Sequence, residues 1–195
     1  MNSRQIMVCF VRSDSSVLQE SWLNSAASML APRTARNGKP YIHAELLFVP
    51  KNNGLQNKTD VYGEACSIVY SGKVHLCKKR FSRKEWEFRS IECTEKQYKK
   101  MKDFCKDHVS DGFNHLGYFM YWSGPFAPKP TFYTWFGMSP RWYCSEIVIA
   151  ALKVGGILDE SFPTAEHPDR LYHFIKERSM MDCGRNMKEV HLQFV

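Results

Sequence analysis

The chain has 195 residues, a formal net charge of +7, and 44% hydrophobic and 24% charged residues. That length suits one well-buried domain over residues 1–195, and two would be cramped. The proportions are those of a soluble globular protein. No window approaches the ~20 uninterrupted apolar residues of a membrane span, and the N-terminus lacks the long apolar region of a signal peptide. The expectation is a cytoplasmic protein in a reducing compartment.

Cys9, Cys66, Cys77, Cys93, Cys105, Cys144 and Cys183 are odd in number and form no CxxC pair. That argues against a disulfide framework and against a zinc site, so no metal or cofactor is expected. The densest charge, Lys78-Lys79-Arg80 with Arg83-Lys84, reads as a solvated basic face and carries no strong nucleic-acid signal.

In chain order, Gln5–Val11 is a short apolar run that predicts a first strand. Asp14 or Ser15 is placed to cap a helix reaching about Met29, followed by a basic loop from Ala31 to Pro40. Tyr41–Val49 alternates as a half-buried strand, so His43, Glu45 and Leu47 share one face. After the turn-rich insertion Pro50–Thr59, Gly63–Tyr70 predicts the returning strand of a long antiparallel hairpin.

Glu85–Cys93 alternates again and predicts a further strand. Thr94 with Gln97 spells a capping box for a helix to about Val109, with Tyr98, Met101, Phe104 and Cys105 inward. Asn114–Trp122 predicts an aromatic helix, and Ser123–Pro140 a Gly/Pro/aromatic loop. The next helix opens near Cys144, is apolar almost all round from Ile147 to Val154, and stops at Gly155-Gly156. Pro168 opens a short helix through Lys176, and Glu189–Val195 predicts a last strand. The fold class is α+β.

Chemistry concentrates at Cys144 and His43. Unpaired N–H groups at a helix N-terminus favour an anion, so they stabilise a thiolate over a thiol and offer part of an oxyanion hole. An imidazole held on a regular strand is the natural base for such a thiol. A third group must accept the other imidazole N–H. Glu45 faces the same way as His43, Ser67 lies on the returning strand, and Glu64 is a third option.

His43-Ala44-Glu45-Leu46, Glu64-Ala65-Cys66-Ser67 and Trp142-Tyr143-Cys144-Ser145-Glu146 follow one another in the order His-strand, partner-strand, Cys-helix. With the helix end at Gly155-Gly156 and the later Pro168-Asp169-Arg170-Leu171-Tyr172, this order resembles the circularly permuted papain-like hydrolases of the NlpC type. That group has poxviral and phage members and is related to the lecithin-retinol acyltransferase family. The resemblance implies a permuted papain-like fold, with an antiparallel sheet packed on a central helix that carries the cysteine. It implies Cys144 as nucleophile and His43 as general base. It places the third polar residue on the returning strand, favouring Ser67 or Glu64 over Glu45.

The implied activity is a thiol hydrolase that cleaves a peptide or isopeptide bond through a thioester, with a protein or peptide as substrate. A viral setting, in host cytoplasm or virion, is part of the same implication. Lipid acyl transfer or thioester hydrolysis at the same pair is the alternative, and that chemistry would want an exposed apolar face. A non-enzymatic binding module on the same scaffold is the third reading. The aromatic stretch Phe126–Phe136 serves either as a wall of the substrate site or as packing over the Cys144 helix. Oligomeric state is left open by the sequence.

Overall fold

The computed structural model describes residues 3–15, 39–51, 59–68, 72–120 and 128–178. The helix expected between Asp14 and Met29, the bulk of the Pro50–Thr59 insertion and the strand expected at Glu189–Val195 lie outside them.

Five strands form one antiparallel sheet: β1 (Ser3–Arg12), β2 (Tyr41–Phe48), β3 (Asp60–Ser67), β4 (His75–Ser82) and β5 (Trp86–Thr94), in the spatial order β4-β3-β2-β1-β5. Strand β1 lies inside the sheet, between β2 and β5, and its residues Ile6–Val11 are all buried. That explains why it reads as a continuous apolar run rather than an alternation: both of its faces are covered. Strand β4 was not foreseen. Cys77, Lys78 and Arg80 are exposed and the strand's apolar alternation is weak, so the basic run hid a strand.

β4 and β5 occupy opposite edges of the sheet, yet only Arg83, Lys84 and Glu85 separate them. Four Cα steps span at most ~14 Å, whereas four interstrand gaps in a flat sheet would hold the edges ~19 Å apart. The sheet must therefore curl, and the rings of Phe81 and Trp86 meet edge-to-face with centroids 4.8 Å apart. The concave side encloses Met7, Cys9, Val11, Leu47, Val61, Ala65, Phe81 and Trp86.

The convex side carries the larger core. There Ile6, Val8, Phe10, Ala44, Leu46 and Phe48 meet α1 (Glu95–Asp107) and α3 (Cys144–Val154). Between these two helices run the short strand β6 (Gly112–Phe113), α2 (His115–Met120), a 3₁₀ turn (Pro130–Phe136) and β7 (Arg141–Trp142), which pairs parallel with β6. Helix α4 covers residues 168–178.

The capping box at Thr94–Gln97 is present: the Gln97 N–H donates to Thr94 Oγ1 and the Thr94 N–H donates to Gln97 Oε1. Tyr98, Met101 and Cys105 of α1 point inward as their spacing dictates. Helix α3 buries Ile147, Val148, Ile149, Ala151 and Leu152. Truncating any of its large aliphatics to Ala is worth about 2–5 kcal/mol. It ends at Gly155, where a Cβ would fall 2.6 Å from Met101 Cγ, so glycine is what lets α1 pack against this end.

Candidate active site

The alternation of β2 sends His43 and Glu45 to the concave side of the sheet, opposite Val11 and Cys9 of β1. Helix α3 packs on the convex side, so a contact between His43 and Cys144 needs a gap between strands. The gap exists because β2 and β3 pair only through Leu46–Cys66, Leu47–Ala65 and Phe48–Glu64. Earlier residues of β2 have no partner in β3. The Cys144 end of α3 enters there, and the Ala44 backbone N–H donates to the Cys144 sulfur rather than to a neighbouring strand.

Cys144 is the first residue of α3 and is almost fully buried. Its sulfur is hydrogen-bonded to the His43 ring and accepts the N–H groups of Ala44 and Ser145. Burial alone would push the thiol up. The positive charge and hydrogen bond of His43, with the two backbone donors, outweigh it and hold Cys144 below the ordinary thiol range.

For His43, burial acts downward. The Cys144 thiolate and the Glu45 carboxylate more than offset it and take the imidazole up to about 10. The two shifts describe one object, a thiolate–imidazolium pair.

His43 Nε2 lies 3.0 Å from Glu45 Oε1, which leaves Nδ1 as the ring nitrogen for the thiol. Glu45 is itself buried, and burial would raise its pKa. Hydrogen bonding and charge from His43 and Lys79 overcome this and hold the carboxyl at about 2. Lys79 Nζ donates to the same Oε1 at 2.6 Å and lies 4.8–4.9 Å from the ring centres of Phe81 and Trp86. Trp86 also stands edge-on to His43, with centroids 6.0 Å apart.

Of the three third-group candidates, Glu45 is the one that touches His43. Glu64 pairs with Phe48, whose side chain is on the convex side, and it bonds Lys102 at 2.5 Å. A one-residue difference in strand parity therefore removes it from His43. Ser67 is on the concave side, but it lies one step beyond the Leu46–Cys66 pair, level with Glu45. Its buried hydroxyl has no hydrogen-bond partner among the described residues. The carboxylate that lies against the ring is thus on the histidine's own strand, two residues on, and neither candidate of the returning strand bonds it.

Several site residues escaped the sequence. In the sequence Lys79 reads as part of a solvated basic run. Its parity with buried Phe81, two residues along β4, was the available signal. Asn114 is fully buried and links three elements: its side-chain N–H groups donate to Glu146 Oε2 at 3.2 Å and to the Pro128 carbonyl at 3.1 Å, while its carbonyl oxygen accepts the Tyr133 hydroxyl at 3.1 Å. Glu146, in the first turn of α3, also accepts the Tyr143 N–H at 3.3 Å. Burial drives this carboxyl up to about 8 despite those two donors.

The Pro168-Asp169 segment has a visible task. Asp169 Oδ1 accepts the N–H of Tyr41, two residues before His43, at 3.1 Å. The Glu166 carbonyl accepts Ser145 Oγ, one residue after Cys144, at 2.6 Å. One short segment therefore ties together the neighbours of the base and of the thiol.

A cleft of about 360 Å³ reaches Trp86, the ring edge-on to His43, and is lined by Arg12, Asp14, Arg83, Lys84, Glu85 and Glu87, while neither His43 nor Cys144 lines it. Among the described residues no cluster of His, Cys, Asp and Glu could hold a metal ion, and no helix is long and apolar enough to cross a membrane. No protein-family model, curated protein or solved structure matches this chain. The established result is a mixed α+β fold, with a five-stranded antiparallel sheet packed by helices, in which Cys144, His43 and Glu45 converge.

Proposed function

We propose that the protein is a thiol hydrolase of permuted papain-like architecture that cleaves an amide bond of a peptide or isopeptide. The observation that carries the reading is the hydrogen bond between the Cys144 sulfur and the His43 ring at a helix N-terminus, backed by Glu45.

The thiolate attacks the carbonyl carbon and forms a C–S bond, while the carbonyl electron pair moves to oxygen. Backbone N–H groups at the start of α3, that of Cys144 included, receive this oxyanion. His43 then gives its proton to the leaving amine, the C–N bond breaks, and a thioester remains. Water, deprotonated by His43, attacks the thioester and returns the thiolate. Glu45 holds the ring in place and stabilises its cationic form throughout. The cleft that reaches Trp86 carries charges of both signs, which suits the polar backbone and side chains of a peptide.

A second reading, transfer of an acyl group from a lipid, is favoured by the exposed Trp135 and Phe136 near the cysteine helix.

The test is the pH dependence of Cys144 alkylation by iodoacetamide, followed by peptide mass spectrometry, in wild type and His43→Ala. Fast reaction below the ~8.5 of a free thiol, lost in the variant, is the expected result. Reaction no faster than at buried Cys9 or Cys105, at every pH, would overturn the nucleophile and bring the binding-module reading forward.

A further inference from the structure

We infer that the 3₁₀ turn Pro130–Phe136 and the residues flanking it form a docking surface for an anionic lipid bilayer. This goes beyond the proposed hydrolase and does not depend on it.

The first observation is exposure. Trp135 is 85% exposed and Phe136 66%, and Phe132 and Met138 beside them are also exposed. The rings of Phe132 and Phe136 lie 5.6 Å apart, so these side chains form a patch rather than scattered singles. They are not turned outward by accident. The inner side of the turn is anchored by buried Pro130 and by Tyr133, whose hydroxyl donates to buried Asn114. The turn is held, and its aromatic side is left in water.

The second observation is charge. From Gly112 to Ser145 the chain contains no Asp or Glu, while Lys129 and Arg141 flank the turn. Lys129 is its N-cap, and the Arg141 guanidinium stacks 5.0 Å from the Tyr133 ring centre. Exposed aromatic rings within a wholly non-acidic, cationic stretch match the headgroup region of an anionic membrane. There an indole lies at the apolar boundary with its N–H in water, and Lys and Arg meet lipid phosphate and carboxylate. Either signal alone gives only marginal attachment, and the pair supplies the two that stable attachment takes. A protein partner of ordinary surface chemistry would not require a segment so free of carboxylates.

The surface is mechanically joined to the candidate site, because Asn114 bonds both Tyr133 and Glu146 in the first turn of α3. Docking would present that helix end to material at the membrane surface.

The experiment is co-sedimentation of the full chain with phosphatidylcholine vesicles and with mixed phosphatidylcholine/phosphatidylserine vesicles. Wild type is compared with Trp135→Ala/Phe136→Ala, and intact folding is verified by thermal melts. The expected result is binding to the mixed vesicles that weakens in high salt, and a loss of roughly tenfold or more in the double variant. A blue-shifted emission on binding that disappears in Trp135→Phe would place the indole in the interface.

Absence of binding to either vesicle overturns the inference, as does equal binding by the double variant. A change in oligomeric state of the lipid-free double variant, without vesicle binding by wild type, would assign the patch to protein contacts instead. Cys144 alkylation is read separately, so failure here leaves the thiol chemistry untouched.

Discussion

Lys79 and His43 converge on a single oxygen of Glu45, at 2.6 and 3.0 Å, while Glu45 Oε2 is buried without a hydrogen-bond partner among the described residues. The carboxylate is therefore shared between a fixed cation and one that forms with the thiolate. Lys79 joins His43 in keeping Glu45 ionised, and it also competes for the oxygen that steadies the imidazolium.

This arrangement separates the two candidate orienting residues by experiment. Glu45→Gln is expected to slow Cys144 alkylation at neutral pH by about 10–100-fold, the scale of lost support around a reacting imidazole. Ser67→Ala is expected to change it less than about twofold, since its hydroxyl bonds neither His43 nor Cys144. The reverse order of effects would restore the returning strand as the source of the third group.

Removing the lysine tests the shared oxygen. Glu45 is held at about 2, so its contribution to stability is present above the unfolded carboxyl value and is lost as pH falls through about 2. Lys79→Met raises the folded value by roughly 1–2 units, and the loss then begins at higher pH. Urea melts between about pH 2 and 5 should show the acid limb of stability moving upward. An unmoved limb would mean that Lys79 does not set the charge on Glu45.

Glu146 predicts the opposite slope. Its folded value of about 8 exceeds the ~4.3 of a free glutamate, so the native state holds a proton that the unfolded chain releases. Stability therefore falls as pH rises from about 4, and the loss is complete above about 8. Glu146→Gln keeps an oxygen for Tyr143 and Asn114 and cannot ionise. It is expected to match wild type near pH 4 and to exceed it by about 1–3 kcal/mol at pH 9. Parallel stability curves for the two proteins would refute a buried, proton-retaining Glu146.

Gly63 tests the short β2–β3 pairing. A Cβ there would meet the Phe48 carbonyl at 2.6 Å and Leu47 Cδ1 at 2.8 Å, and the carbonyl belongs to backbone that has little room to yield. Gly63→Ala is expected to cost about 1–3 kcal/mol in urea denaturation. A neutral outcome would mean that the two strands separate freely along their whole length.

The elements that declared themselves in the sequence were those whose signals are local. Thr94-x-x-Gln97 opens α1, Gly155-Gly156 closes α3, and the run Ile6–Val11 is an interior strand covered on both faces. The nearness of Cys144 to His43 was also expected, since each sits where its element type can hold it.

What stayed hidden depends on strand parity and pairing. Lys79 turns inward while Lys78 and Arg80 turn out. The third group could not be chosen between Glu45, Ser67 and Glu64 until the β2–β3 register was fixed. Asn114 accepts the Gly117 N–H locally, but its bonds to Pro128, Tyr133 and Glu146 reach segments distant in the chain and left no local sign.

The parting of β2 from β3 has an evolutionary corollary. The Ala44 donor that holds the sulfur is a main-chain amide, present whatever side chain occupies position 44. Mutational drift at that position can alter packing without removing the donor, and proline is the one natural residue that deletes it outright. A part of what lowers the thiol pKa is in this sense unwritten in residue identities: it is a property of where a ladder stops.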